Sequence, residues 1–384
     1  MKGRLSLVVL MVLSGVVSAL NADELSESLK NGKISGDVTV TYESRNVDRQ
    51  VGAYYADTAY SVGSIGLNYE TAKFYNFSAN VGMRAYQALW QDDSQFITSH
   101  GKGDASERFY EDGSNKHMEL ANAYLAYTTK NILVKAGRQE LSTEWLTKYH
   151  DAVTAMITPF DKAQIEMIYS SKRYRVDPRE FFSATDINGN DGIYKLGLSY
   201  NITDAIKAKA YTLIAPDNYD IYGGKVNLDS KINDIGFGGL VHYMETRENI
   251  AADGKMVELV GYASYAGYKA TIGYVKTGEE NGWGSAANYG DTVVPFEEGD
   301  HMYVKDARTT YLMLSKTIAD ISLTGLYGVT KYGQFSKDEF DIWASYKFSK
   351  NLSGSLGLAI TNEDKNVASV PDLTQLNATL AYKF

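Results

Sequence analysis

The sequence predicts an all-β protein: a transmembrane antiparallel β-barrel of about 18 strands, with short periplasmic turns at one end and long extracellular loops at the other. Three observations predict it. Apolar and polar residues alternate with period two in one segment after another, the pattern of strands with one apolar and one polar face. Every second connection between these segments is tiny while several of the others are long, a sorting that a soluble sandwich has no reason to make. The last fourteen residues, 371–384, form such a segment, with Leu376, Ala378, Leu380, Tyr382 and Phe384 on one parity. A closing strand that ends on an aromatic residue is a mark of outer-membrane barrels.

From the front, residues 1–22 carry Lys2 and Arg4, an uncharged run from Leu5 to Val17, and small residues at Ser18, Ala19 and Ala22. This is the pattern of a cleaved secretory signal, whose apolar run of about 13 residues falls short of the ~20 that a spanning helix needs. Cleavage is expected after Ala22, with Ala19 as the alternative. Residues 23–32 read as a short acidic, helix-like periplasmic segment, and 33–384 as the barrel. Cysteine is absent, which excludes disulfides, thiolate metal sites and thiol catalysis. The formal charge of −9 becomes more negative once Lys2 and Arg4 are removed, so the chain is ill suited to binding nucleic acid through its phosphates. Tyrosine is the compositional outlier, 30 residues against 13 Phe and 4 Trp. An apolar ring with a hydroxyl that stays wet suits a membrane-interface girdle, although cross-strand pairs in any β-rich protein use Tyr as well.

The segment Lys33–Arg45 alternates without a break: Ile34, Val38, Val40 and Tyr42 share one parity, and Lys33, Ser35, Asp37, Thr39, Thr41, Glu43 and Arg45 the other. The same code recurs at Phe77, Ala79, Val81 and Met83, at Ile206, Ala208 and Ala210, and at Phe340, Ile342, Ala344, Tyr346 and Phe348. Strands are expected at 33–45, 58–70, 74–88, 117–128, 131–139, 150–158, 163–173, 191–201, 205–215, 219–229, 233–245, 254–266, 267–277, 306–317, 320–332, 337–349, 352–363 and 373–384, with 150–158 and 306–317 the least regular. An even count returns both ends of the barrel to one side. The short connections are Thr71 to Lys73, Thr129–Lys130, Ile202 to Asp204, Ser230 to Ile232, Ile318–Ala319 and Lys350–Asn351; the long ones include Trp90 to Lys116, Tyr174 to Asn190 and Gly278 to Lys305. In hydrocarbon every backbone polar group must be paired internally, which a closed barrel achieves. At roughly 16 to 18 strands the interior still leaves room for water.

Residues 131–143, Asn-Ile-Leu-Val-Lys-Ala-Gly-Arg-Gln-Glu-Leu-Ser-Thr, continue through Tyr149-His150-Asp151 to Thr158-Pro159-Phe160-Asp161-Lys162-Ala163-Gln164. This stretch resembles the region around the third outer loop of OprD-type outer-membrane porins of Gram-negative bacteria. Tyr200 to Tyr211, followed by Asp220-Ile221-Tyr222, is similar to the family's next hairpin; the acidic Asp23–Asn31 leading into Ile34-Ser35-Gly36, and the Tyr-Lys-Phe end, resemble porins of the epsilon-proteobacterial branch. The resemblance implies an eighteen-strand barrel, often in trimers, whose third loop folds inward and whose pore wall carries a ladder of basic residues that attracts carboxylate-bearing solutes. The segment 140–149 matches the position of that constriction loop, and Arg138 with Lys135 stands at its entrance. In the last two strands, where selective members carry ladder arginines, this chain has Ser353, Ser355, Gly357 and Asn377.

Parity places Arg84, Lys195, Lys207, Lys209, Lys225 and Lys269 on the inner wall, where positive charge would concentrate small anions. Glu166, Glu258 and Asp341 are inward acids able to neutralise them, and Glu144 and Lys148 belong to the expected constriction. Arg138 falls on the lipid-facing parity of Ile132, Val134 and Ala136, where a mid-membrane charge costs about 2–4 kcal/mol. The strand is therefore expected to turn inward, or to reach the headgroups, at that point. Asp186 to Gly192 has the first three ligand positions of a calcium loop but Asp191 where its turn wants glycine, and reads first as a surface turn. No phosphate loop, nucleophile elbow or paired-histidine metal motif occurs. The expectation is an outer-membrane porin passing small hydrophilic solutes, without a cofactor and in contact with outer-membrane lipid. Two other readings are a barrel enzyme, such as a lipase or protease, and an adhesin acting through its long loops.

Overall fold

The computed structural model describes residues 22–52, 54–92, 97–98, 101–102, 104–110, 117–189 and 191–384. The expected signal segment, Ala22 excepted, and much of the connection from Trp90 to Lys116 lie outside these residues. Helix α1 (Ala22–Lys30) precedes the eighteen strands of the barrel wall, and among the described residues three shorter strands, Ile97–Thr98, Gly101–Lys102 and Glu180–Asp186, lie in the connections. The wall strands are β1 (Lys33–Val47), β2 (Thr58–Glu70), β3 (Phe77–Gln91), β4 (Met118–Thr128), β5 (Ile132–Thr143), β6 (Leu146–Phe160), β7 (Ala163–Asp177), β8 (Ile193–Asn201) and β9 (Ile206–Ala215). There follow β10 (Tyr219–Ile232), β11 (Ile235–Glu248), β12 (Lys255–Tyr265), β13 (Tyr268–Thr277), β14 (Arg308–Ile318), β15 (Ile321–Tyr332), β16 (Phe335–Lys347), β17 (Leu352–Glu363) and β18 (Leu373–Lys383). Each pairs antiparallel with the next, and β18 returns to β1 with Asp37 opposite Lys383 and Val47 opposite Leu373, so the sheet closes. Two bonds at 3.0 Å between the backbones of Gly36 and Phe384 finish the seam.

Closure inverts the burial pattern of a soluble protein. On β1, Val38 and Val40 are 45% and 40% exposed, while Thr39, Thr41, Glu43 and Arg45 between them are almost wholly covered. The outward face is an apolar band, the surface that hydrocarbon requires. Near the short turns it carries exposed Tyr200, Tyr265, Tyr268, Tyr346, Tyr382 and Phe384, a girdle whose hydroxyls can stay wet. Helix α1 lies at this end, where Ser28 Oγ donates to the Ala72 carbonyl (2.5 Å) and the Ala72 N–H returns to the Ser28 carbonyl (3.1 Å).

All eighteen expected segments are strands, and the largest boundary differences fall on β5, β6 and β7, which run on to Thr143, start at Leu146 and run on to Asp177. The expected loop 140–149 is therefore a tight hairpin, L3, turning at Glu144–Trp145 with Thr143 opposite Leu146. Its extension depends on contacts far away in sequence, since Leu141 and Leu146 bury against the long connection L7 (278–307). In L4 (178–192) a short extra strand, Glu180–Asp186, pairs with the upper part of β7, above the point where β8 takes over.

The lumen is partly filled. Trp283, Ala286, Val293 and Met302 of L7, with Trp145 and Leu146 of L3, pack on an apolar patch of inner wall that includes Ile193, Leu213, Ile221, Met244, Met256 and Val275 of β8–β13. A second cluster joins Ala105 and Tyr110 of L2 (92–117) to Tyr60, Val62 and Tyr86 of β2 and β3 and to Tyr174, Val176 and Phe181. Both follow from the inner wall of the outer half, where apolar residues replace the polar parity seen lower down.

Candidate functional site

The L3 tip is an ionic anchor. Gly137, at φ +124°, sits where any side chain would strike the Ala123 carbonyl, so glycine is required just below the inward bend. At the tip Trp145 adopts φ +63°, unusual for a bulky residue. It is held there by its indole N–H on Tyr211 Oη (3.0 Å) and by Trp283, 4.9 Å away between ring centroids. The turn delivers Glu144 across the lumen to three wall lysines: Lys195 at 2.7 Å, Lys209 at 2.6 Å and Lys225 at 2.6 Å. Glu166 adds contacts of 3.3 Å to Lys195 and 3.1 Å to Lys209. Burial opposes ionisation of Glu144, but Lys195, Lys225 and Lys209 outweigh it and hold the carboxyl far below its ordinary value.

L7 is held from the opposite side by carboxylates. The N–H groups of Glu298 and Gly299 donate to the two carboxylate oxygens of Glu339 (2.7 and 3.0 Å), and that of Glu297 to Asp341 (3.1 Å), both wall residues of β16. Glu298 forms an ion pair with Arg45 of β1, whose guanidinium also donates to Gln375 (2.8 Å). Arg108 of L2 adds Glu43 at 2.9 Å, and Lys337 reaches Asp300 at 2.7 Å. Burial pushes the Glu298 carboxyl up against the pull of Arg45.

What remains open is a cavity of about 740 Å³ on the side away from the apolar plug. Its walls are Asp37, Thr39 and Glu43 of β1, Arg84 of β3, Ser355 of β17, and Thr379, Ala381 and Lys383 of β18; L3, L4 and L7 supply Lys148, Asp177–Glu180 and Glu297. Arg84 is fixed on Asp37 (2.5 Å) and Ser64 (3.1 Å), and Lys148 pairs with Asp177 and Glu180. Arg179, at the L4 tip, donates through one terminal nitrogen to Glu297 (2.8 Å), lies 3.8 Å from Glu43, and keeps a side chain 45% exposed. It also lines a second space of about 170 Å³ with Ser322, Trp343, Ser355, Asn377 and Thr379.

Sequence parity thus leads to two different places. Lys195, Lys209 and Lys225 point inward as partners of Glu144 and Glu166 rather than as free wall cations, Glu166 being one of the inward acids expected to neutralise them. Glu258 is covered and faces His242 at 3.2 Å. Lys207 and Lys269 are exposed near the short turns, Lys269 over Tyr262 at 4.3 Å, and Lys135 at the same end is half-buried over Tyr124 at 4.8 Å. Arg138, just past the bend at Gly137, reaches Glu119 (2.7 Å), which stands opposite the lumen-facing Arg84, and Asp151 (3.0 Å), with Tyr174 of the lumen cluster 3.5 Å from its guanidinium carbon, in keeping with the expected inward turn of the strand. Asn188, in the calcium-like stretch, donates its amide to the carbonyls of Gly192 (3.3 Å) and Pro216 (2.8 Å), acting as a turn lock. Arg45, Arg108, Arg179, Glu297 and Glu298 were not predicted. Arg45 shares the inward parity of Thr41 and Glu43 and was legible as a wall residue; the other four lie in loops, where no periodicity reports direction.

A closed eighteen-strand barrel with loops folded into a polar lumen is the class of structure this defines. Solved structures share it closely. OccK9 (OpdG) of Pseudomonas aeruginosa superposes with a TM-score of 0.76 at 13% identity over 93% of this chain and 99% of that one. OccAB1 of Acinetobacter baumannii gives 0.75 at 12% identity over 93% and 97%. A BenF-like porin from Pseudomonas fluorescens Pf-5 gives 0.75 at 12% identity over 93% and 99%. No protein-family model matches the chain, and no curated protein matches it by sequence. At such identity the likeness is one of fold.

Proposed function

We propose that the chain is an outer-membrane porin, exported with a cleaved signal and passing small hydrophilic solutes by passive diffusion. The observation that carries this reading is the 740 Å³ polar cavity inside a closed barrel, flanked by loops anchored in the lumen rather than packed over it. Solved structures of similar fold include OpdK of Pseudomonas aeruginosa, solved with vanillate, and the BenF-like porin. The cavity lining sets Arg84, Lys148, Arg179 and Lys383 against Asp37, Glu43, Asp177, Glu180 and Glu297, a near balance of sign. Weak ion selectivity follows, in place of the carboxylate preference that a free basic ladder would give. The trimer and the epsilon-proteobacterial branch implied by the resemblance belong to the same proposal. The test is a planar lipid bilayer: purified protein should give discrete conductance steps. Their absence, with turnover of lipid or peptide substrates, would replace the porin with a barrel enzyme. Native mass measurement decides between monomer and trimer.

A further inference from the structure

Outward-facing cations near the long-loop end follow one rule on most of the barrel. Each stands directly opposite a carboxylate on the neighbouring strand: Lys172 opposite Asp186, Arg247 opposite Asp220, Lys255 opposite Glu245. Strands β13, β14 and β15 break it. Lys276 is opposite Arg308, and Arg308 is opposite Lys331, so three cations form one cross-strand row on the outward face. Like charges directly opposite destabilise a sheet. Only loop acids approach the row, Glu279 at 3.6 Å from Lys276 and Asp306 at 2.9 Å from Arg308. Among the described residues Lys331 makes no ion pair. The nearest carboxylate on β16, Asp338, is opposite Val329 in the next row toward the membrane and accepts from Asn362 at 2.9 Å.

The height of the row is as informative as its sign. The next row toward mid-barrel is Tyr274, Thr310 and Val329, and the one after is Ile272, Leu312 and Tyr327, which are 60%, 48% and 50% exposed to what surrounds the barrel. The cations therefore stand at the upper margin of the apolar band, two rows above side chains that only acyl chains can cover. Cross-strand neighbours are about 5 Å apart, so three of them span roughly 10 Å, the width of a headgroup. The outward crevice of about 370 Å³ beside the row is lined by Lys255 and Lys276 but also by Asp253, Glu279 and Glu280, so the phosphate contacts are confined to the row itself.

We infer that Lys276, Arg308 and Lys331 form a binding site for the phosphate groups of an acylated lipid in the outer leaflet, with the lipid's chains lying on Ile272, Leu312 and Tyr327. Apolar surface below and a row of three cations above, met by only two loop acids, match the two halves of such a lipid. The inference rests on the membrane placement proposed above but not on conduction, so a barrel that fails to conduct leaves it standing.

The test uses the full-length protein, purified in a neutral detergent, with bound lipid counted by native mass spectrometry. The probes are an acylated glucosamine disaccharide bearing two phosphates, the same lipid after phosphatase treatment, and inorganic phosphate alone. The wild type should retain the phosphorylated lipid, and K276Q/R308Q/K331Q should bind it at least about tenfold more weakly, given the attraction expected for each basic residue at an anionic lipid surface. R308Q alone should fall between them. K316Q, an outward lysine at the short-turn end that donates to the Ala266 carbonyl at 2.7 Å, should behave as wild type. Unchanged retention by the triple variant, or equal binding of the dephosphorylated lipid, would overturn the inference. Inorganic phosphate bound in place of the lipid would make the row a free-anion site and overturn it equally.

Discussion

Replacing Glu144 with glutamine removes the negative end of a contact shared by three lysines, and the structure sets the size of the effect. The Glu144 side chain is 5% exposed and that of Lys195 not at all, so the substitution leaves buried cations short of a counter-charge. Deleting one partner of a buried ion pair costs about 3–5 kcal/mol. The lower end applies here, because Glu166 still reaches Lys195 and Lys209 and because Lys225 is 26% exposed and can hydrate. About 3 kcal/mol corresponds to roughly a hundredfold larger population of the released hairpin. Two readouts follow. Amide hydrogen exchange over 140–149 should quicken by about that factor, and the reversal potential in a salt gradient should move toward anions, because Lys195, Lys209 and Lys225 gain unbalanced charge. Adding K225M to the E144Q background should reverse part of both changes. The anchor should also resist acid: a depressed carboxyl contributes stability that is complete above its ordinary value of 4.5 and is lost only as pH falls through the far lower folded value. Wild-type exchange and wild-type reversal potential in E144Q would refute the latch.

Arg179→Gln should shift the reversal potential toward cations and change single-channel conductance, since it removes the most exposed arginine of the open path; an unchanged reversal potential would mean that ions do not pass the L4 tip. Trp283→Ala should leave the barrel closed but loosen L7, costing about 3–5 kcal/mol through the cavity it opens, and should show as faster exchange across L7 and as larger, noisier conductance steps. Glu298, whose carboxyl burial pushes up, binds its proton at a higher pH when L7 is docked than when it is released. Docking should therefore strengthen as pH falls through the folded value toward the ordinary one. Exchange at 296–299, corrected for intrinsic rate, should slow as the pH is lowered toward the ordinary carboxylate value, and E298Q should reduce the difference. Faster corrected exchange at the lower pH would contradict the assignment.

The barrel was legible because a strand that faces lipid on one side and water on the other writes both environments into its parity. Val38 and Thr39 differ in sequence as they differ in the fold, and so strand count and direction could be read without a partner segment. Loops carry no such record. Nothing local to Glu144 distinguishes a carboxylate at the rim from one locked among three lysines, because those lysines lie on β8, β9 and β10. Arg179 is likewise unreadable, since its position depends on the short strand Glu180–Asp186 pairing above β8. The boundary misreading at β5 and β6 has the same cause, as the hairpin is prolonged by burial of Leu141 and Leu146 against L7 and not by their own alternation.

The two kinds of anchor divide the lumen and thereby decide which wall charges a solute meets. Along β8–β13 the apolar plug excludes water, and any lysine beneath it must be neutralised from within, as Glu144 and Glu166 do. Along β1 and β16–β18 the inner wall is largely polar, L7 is tied down on that side by Glu339 and Asp341, and water is retained. Selectivity is therefore set by the side that the plug leaves open. There Ser355, Asn377 and Thr379 offer hydroxyl and amide groups, and the charges are shared between the wall, at Asp37, Glu43, Arg84 and Lys383, and the inward segments around L3, L4 and L7. A change confined to L4 or L7 would retune such a channel without touching a barrel strand, whereas charge added at Lys207 or Lys269 would act only on ions already past the narrowest point.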